Sequence, residues 1–323
     1  MTPATIVTLF DVQQAAERIR PYVHRTPIHT SSALDRMFGA QLVFKCENLQ
    51  KIGAFKARGA VNAVLQLDQA TAKRGVATHS SGNHAQALAY AAGLRNIPCT
   101  IVMPTSAPAV KRSAVLGYGA TIVDCAPTLA AREATLAQVV EQTGAHVVPP
   151  YNDIRVIAGQ GTAALELLEE VSDLDIVMAP VGGGGLMSGT AVACRGMQPN
   201  IDVIGAEPSV ADDAARSLRD GVIHPAPTTQ TIADGLRTSL GDVTFAHLRH
   251  HSVDIRTASE ESIVEALYLV MERMKLVIEP SAAVTLAVLL EQPELVRGKK
   301  VGIILCGGNL DVRTLMHRVT VGF

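Results

Sequence analysis

Gly75-Val-Ala-Thr-His-Ser-Ser-Gly-Asn-His-Ala-Gln-Ala-Leu-Ala-Tyr-Ala-Ala-Gly-Leu-Arg-Asn-Ile-Pro-Cys-Thr-Ile-Val-Met103 is the stretch that decides the fold. Short apolar runs at 75–79 and 98–103 read as strands, and the alanine-rich segment 83–94 between them reads as a helix. A strand, a helix of this length and a second strand form a βαβ unit, which places the two strands parallel. The alternation continues with a helix over 108–116, a strand over 120–124, a helix over 128–142 and a strand over 146–148. Repeated units of this kind give an α/β fold with a parallel, twisted sheet flanked by helices. Pro149-Pro150 then interrupts the pattern.

Upstream, a capped helix over 11–22 halts at Pro21, a turn lies at 24–27, and a short helix covers 31–37. A strand follows over 41–46, then a glycine-bearing loop and a helix from Ala57 to Leu67. Downstream come a helix over 159–171, a strand over 174–180, a helix over 186–196 and a strand over 201–206. Residues 209–256 show no regular pattern, and helices over 259–274 and 280–291 and a strand over 300–305 complete the reading. The organisation expected is a small α/β domain, 69–153, inserted into a larger one made of 1–68 plus 154–323.

The chain has 323 residues, 48% hydrophobic and 18% charged, enough for a large core and for two domains. A net charge of -2, no tryptophan and 3% aromatic residues argue against a nucleic-acid partner. The five cysteines are scattered without a CxxC pair, which suits a reduced, cytoplasmic protein better than a disulfide or zinc framework. Residues 1–20 lack the apolar core of a signal peptide, and no apolar run approaches the ~18 residues of a membrane span. A cytoplasmic protein with no membrane partner is expected.

Four glycine-bearing stretches carry the chemistry. In Gly53-Ala-Phe-Lys-Ala-Arg-Gly-Ala60, Lys56 sits between Phe55 and small residues. A lysine in an apolar niche loses its proton readily and becomes a nucleophile toward an aldehyde, although alone it reads as an ordinary helix-opening lysine. Ser80-Ser81-Gly82-Asn83-His84 joins a strand to a helix, where free N–H groups offer either an anion site or a plain cap. Gly182-Gly183-Gly184-Gly185 joins another strand to the helix from Leu186, and its successive bare N–H groups suit a phosphate. It matches neither a P-loop nor a dinucleotide fingerprint. Cys306-Gly307-Gly308-Asn309 ends the last strand, its thiol either a small core residue or the neighbour of a flat ring. Glu207 and Asp213 read either as a cation pair with the Ala211 carbonyl or as a solvated loop.

In this order the four stretches resemble the fold-type II pyridoxal-phosphate enzymes, whose architecture is that of the tryptophan synthase β chain. Within them the chain is most similar to the serine/threonine dehydratase and serine racemase branch, and the resemblance covers nearly its whole length. It implies that Lys56 forms the Schiff base with pyridoxal 5′-phosphate and moves the substrate's α-proton. Ser80, Ser81, Gly82, Asn83 and His84 would grip the α-carboxylate, with Ser81 also the acid/base on the opposite face. Gly182 to Gly185 and Leu186 would hold the phosphate, Phe55 would cover the ring, and Asn83 would reach its 3′-oxygen. Cys306 stands where many relatives carry serine against the pyridine nitrogen. A neutral partner there leaves the ring a weaker electron sink and favours loss of a β-substituent.

Glu207-Pro-Ser-Val-Ala-Asp-Asp213 and Glu272-Arg-Met-Lys-Leu-Val-Ile-Glu-Pro280 resemble the racemase most. The first implies a divalent cation, Mg²⁺ or Mn²⁺, on Glu207, Asp213 and the Ala211 carbonyl. Arg132 matches an arginine that meets a distal carboxylate, with His79 and Ser239 beside it. The expected activity is dehydration of a small β-hydroxy amino acid, 3-hydroxyaspartate above serine and threonine, by a homodimer without a C-terminal regulatory domain. The alternatives are a serine racemase, a general L-serine/L-threonine dehydratase, and a non-catalytic binding protein on the same scaffold.

Overall fold

The computed structural model describes residues 5–227 and 230–311; the first four of the N-terminal residues read above lie outside this range. The N-terminal part runs α1 (Leu9–Ile19), β1 (Ile28–Thr30), α2 (Ser32–Phe38), β2 (Gln41–Cys46), α3 (Lys56–Leu65) and α4 (Gln69–Arg74). Next come β3 (Val76–His79), α5 (Asn83–Leu94), β4 (Cys99–Pro104), α6 (Ala109–Gly117), β5 (Thr121–Cys125), α7 (Leu129–Thr143) and β6 (His146–Val147). The remainder is α8 (Ile154–Glu170), β7 (Ile176–Pro180), α9 (Gly185–Met197), β8 (Asp202–Pro208), α10 (Asp213–Asp220), α11 (Asp242–His250), β9 (Asp254–Ala258), α12 (Glu260–Leu269), α13 (Pro280–Glu291) and β10 (Lys300–Leu305).

Two sheets result, one of six strands in the order β1-β2-β10-β7-β8-β9 and one of four in the order β5-β4-β3-β6. All pairings are parallel except β1 with β2. Strand β7 is buried at every position, as expected of a central parallel strand covered on both faces. The four-stranded sheet is built wholly from residues between 76 and 147, and the six-stranded sheet from residues on either side of that segment. The α/β expectation holds.

Several elements depart from the expected pattern. Strand β1 falls between the expected turn and helix, at residues given no element, because three residues on a sheet edge carry no readable alternation. Residues 209–256 contain α10, α11 and the start of β9. Helix α10, Asp-Ala-Ala-Arg-Ser-Leu-Arg-Asp, buries only Asp213, Ala214 and Ser217, so no apolar stripe announces it. Helix α8 begins at Ile154, earlier than expected, because the Asp153 side chain caps Arg155 N directly after the proline pair.

A buried ionic cluster fastens α3, the helix that opens with Lys56. Arg58 is fully buried and donates to Glu47 at 2.7 and 2.8 Å and to Glu166 at 2.7 and 2.8 Å. Lys45 on β2 also pairs with Glu166 at 2.7 Å, and the Thr26 hydroxyl donates to Glu47 at 2.6 Å. The cluster ties α3 to the end of β2 and to α8. All five cysteines are buried and unpaired. Among the described residues no helix is long and apolar enough to cross a membrane.

Candidate active site

Loops at the C-terminal ends of β2, β3, β7 and β10 carry the four glycine-bearing stretches, which is where open α/β sheets bind ligands. The lysine loop and the end of β10 are joined directly. Phe55 N donates to Cys306 O at 3.0 Å, Gly308 N donates to Gly53 O at 2.9 Å, and Ala54 bridges Gly307. These bonds hold Lys56 and Cys306 in one frame.

The Lys56 ammonium donates to Pro150 O at 2.6 Å and lies 5.0 Å from the centre of the Phe55 ring. Burial lowers its pKa to about 8, partly opposed by the negative fields of Cys306 and Glu279. An amine held there gives up its proton far more readily than an exposed lysine does.

Gly182 to Gly185 are all buried and lead into α9, whose N-cap, Gly184, has φ of +86° and no side-chain cap. The first N–H groups of α9 are left without helical partners. A Cβ on Gly183 would stand 2.3 Å from the Tyr151 ring, so no side chain fits. A bare backbone cradle at the positive end of a helix fits a phosphate. Helix α5 likewise starts at Gly82 without a side-chain cap, leaving the N–H groups of Asn83, His84 and Ala85 to an anion. The lysine, the phosphate cradle and the carboxylate cradle together fit pyridoxal 5′-phosphate and an amino acid.

Ser80 Oγ accepts from Gly82 N at 3.3 Å, while the Ser81 hydroxyl has no hydrogen-bond partner among the described residues. His84 is buried, and its Nε2 donates to Val148 O at 2.8 Å, a carbonyl that can only accept. Burial, with the Lys56 charge adding to it, holds its pKa down at about 3, so Nδ1 is a bare acceptor without a partner. A carboxylate is therefore left to the backbone N–H of His84, not to its ring. Asn83 donates to Glu279 and accepts from Asn309.

Arg132 and Glu133 lie in the first turns of α7, and their charges reach His79, whose pKa is lowered mainly by burial, with Glu133 opposing and Arg132 assisting. The Arg132 Nε is buried without a partner. Ser239 is engaged elsewhere, its hydroxyl accepting from Ala226 N at 2.8 Å. Glu207 and Asp213 are both fully buried. The Glu207 carboxylate accepts from Ala214 N and Ala215 N, each at 3.0 Å, while both Asp213 oxygens lack any partner. Burial raises Glu207 to about 8 and Asp213 to about 7, and the Asp213 charge adds to the effect on Glu207. No group of three or more His, Cys, Asp or Glu side chains able to hold a metal gathers among the described residues, so a cation here would rest on these two carboxylates and backbone.

Sequence reasoning missed Glu279 and Tyr151. Glu279 precedes Pro280 at the start of α13, the place of a capping residue, yet makes no cap bond. Tyr151 follows the proline pair and lies against the tetraglycine loop, and no local pattern marks it.

The fold and this site define a fold-type II pyridoxal-phosphate enzyme. The family described as pyridoxal-phosphate dependent enzyme matches residues 19–307, and the chain belongs to it. β-Hydroxyaspartate dehydratase of Paracoccus denitrificans is 52% identical over 310 residues, covering 96% of this chain and 98% of that protein. Serine racemase of Dictyostelium discoideum is 48% identical over 319 residues, covering 98% of both chains. The crystal structure of that racemase superposes with a TM-score of 0.91 at 49% identity, covering 95% of this chain and 99% of the other.

Proposed function

We propose that this chain is a pyridoxal-phosphate-dependent ammonia-lyase that dehydrates 3-hydroxyaspartate to iminosuccinate, which water then hydrolyses to oxaloacetate and ammonia. The observation that carries the choice of substrate is Arg132. Its guanidinium has a buried, unpartnered Nε, its charge is felt at His79, and a distal carboxylate would complete a charge-assisted pair with it. A relative 52% identical bears the name β-hydroxyaspartate dehydratase, which agrees with this reading.

The cofactor, when bound, withdraws electrons from the substrate's α-carbon. The chain supplies the rest. The cradle at Gly182–Leu186 holds the phosphate, Phe55 lies against the ring, and Cys306 meets its nitrogen as a neutral partner. The N–H groups opening α5, with Ser80 and Ser81, bind the α-carboxylate. Lys56, with its pKa lowered to about 8, takes the proton from the α-carbon, and the β-hydroxyl then leaves.

A divalent cation on Glu207, Asp213 and the Ala211 carbonyl is part of this reading. Two buried carboxylates, one wholly unpartnered, carry a charge that a Mg²⁺ or Mn²⁺ ion would neutralise. The two sheets correspond to two domains, 1–68 plus 154–323 and 69–153. A homodimer suits the exposed Leu49 and Val277, which lie together because Asn48 bonds Val277 O at 3.1 Å. A cytoplasmic setting suits five unpaired cysteines.

The free Ser81 hydroxyl favours a second reading, serine racemisation, in which Ser81 returns a proton to the face opposite Lys56. One experiment separates the two. Cofactor-loaded enzyme is given the 3-hydroxyaspartate stereoisomers, both serines and L-threonine, and ammonia, keto acid and D-serine are measured. Preference for one 3-hydroxyaspartate isomer supports the dehydratase. D-serine formed faster than any keto acid supports the racemase, and equal turnover of serine and threonine points to a general dehydratase and refutes the role of Arg132.

A further inference from the structure

Glu279 is 3% exposed, and no lysine, arginine or histidine forms an ion pair with it among the described residues. A buried carboxylate without a cation is costly and calls for a use. Its backbone is pinned to the end of β10, where Glu279 N donates to Gly307 O at 2.9 Å. Its carboxylate stands where a side chain at residue 307 would be, since a Cβ on Gly307 would come within 2.7 Å of Oε1. From there it accepts from Asn83 Nδ2 at 2.9 and 3.0 Å and lies 3.9 Å from Cys306 Sγ. Asn83 and Cys306 are the polar side chains assigned above to the oxygen and the nitrogen of the cofactor's ring.

The bonds beyond Asn83 remove the usual ambiguity of an amide, whose oxygen and nitrogen look alike. Asn309 Nδ2 donates to Ile52 O at 2.7 Å and to Asn83 Oδ1 at 2.9 Å, so both its hydrogens are spent. Ile52 O can only accept, so the amide nitrogen of Asn309 is fixed and the chain of bonds runs one way, from Asn309 through Asn83 to Glu279. The Asn83 amide nitrogen is thereby fixed on the side of Glu279 and Cys306. Its N–H pair can serve the carboxylate and a further acceptor, which a phenolic ring oxygen would provide.

We propose that Glu279 is a positioning residue for the cofactor: with Asn309 it locks the Asn83 amide so that N–H, not C=O, faces the ring oxygen, and it backs the Cys306 thiol. Burial raises the Glu279 carboxyl to about 7, with Asp234 adding to it, while the Asn83 N–H bonds and Lys111 oppose the rise, so its acceptor role is fullest above neutral pH. The inference rests on the family assignment and not on the choice of substrate.

The test uses holoenzyme without substrate. Glu279→Gln keeps the shape but places an N–H or a single oxygen opposite Asn83, and Asn309→Ala removes the lock from the other end. Expected are a weakening of pyridoxal 5′-phosphate binding by about tenfold in each, the scale of one charge-assisted hydrogen bond, and a shift of the bound cofactor's visible band. The double variant should be no weaker than the worse single one, because both act through one amide. Affinity within twofold of the parent and an unmoved band in Glu279→Gln would overturn the proposal, as would multiplying effects in the double variant. If Glu279→Gln fails to fold, Asn309→Ala decides alone, and parental affinity and band in it would equally overturn the proposal. Substrate preference does not enter these readouts, so their failure leaves the dehydratase reading untouched.

Discussion

Replacing Arg58 by methionine removes the centre of the buried ionic cluster while filling most of its volume. The loss falls unevenly on its two partners. Glu166 keeps Lys45 at 2.7 Å, whereas Glu47, fully buried, is left with the Thr26 hydroxyl at 2.6 Å as its remaining side-chain partner. Breaking a buried pair from one side costs roughly 3–5 kcal/mol, because the other charge stays buried and uncompensated. At about 2 °C per kcal/mol for a chain of this size, the melting temperature should fall by roughly 6–10 °C. Scans of apo-protein at one fixed rate measure this even if unfolding is irreversible. Arg58→Met combined with Glu47→Gln should recover part of the loss, since the orphaned charge is gone. A fall of under 2 °C in Arg58→Met would show that the cluster does not stabilise α3 as argued. Because Lys56 opens the same helix, cofactor affinity should fall along with stability.

Three other outcomes are expected. Glu207 and Asp213 are raised by burial to about 8 and 7, so their contribution to stability is complete at acid pH and is lost as pH climbs through that range. Metal-free protein should therefore melt lower at pH 8.5 than at pH 5.5 relative to Mg²⁺-loaded protein, a gap that Asp213→Asn should narrow in parallel thermal scans. Arg132→Met should lower kcat/KM for 3-hydroxyaspartate by roughly 10–100-fold while changing serine turnover little, as read by keto-acid release. Gly183→Ala, whose Cβ would stand 2.3 Å from the Tyr151 ring, should cost roughly 1–3 kcal/mol in denaturant titrations and at least tenfold in cofactor affinity.

The sheet-forming strands and the four glycine-bearing loops were legible because short apolar runs, helix caps and glycine clusters are local signals. Helix α5 and strands β2 and β10 lie at the residues expected for them. Residues 209–256 were illegible for the converse reason: half of α10 is charged and it carries no apolar stripe, and β9 pairs with a single neighbour at the sheet edge. The candidate site followed the same division. Lys56 and the tetraglycine announce themselves, whereas Glu279 acquires meaning only when α13 brings it beside Asn83, a residue 196 positions away. Nothing local marks Arg58 as buried, since both its partners come from other elements. His84 was read as a carboxylate ligand, and its ring instead spends its N–H on Val148 O.

The five cysteines give the molecule built-in reporters. Cys99 and Cys125 lie on strands of the four-stranded sheet, while Cys46, Cys194 and Cys306 belong to the six-stranded layer. Burial pushes Cys46, Cys99 and Cys194 up to about 12, so at neutral pH almost none of these thiols is in the reactive thiolate form. Alkylating reagents can reach them only through opening of the surrounding layer. Mass spectrometry of slowly alkylated protein would thus time the two layers separately, without a single engineered label.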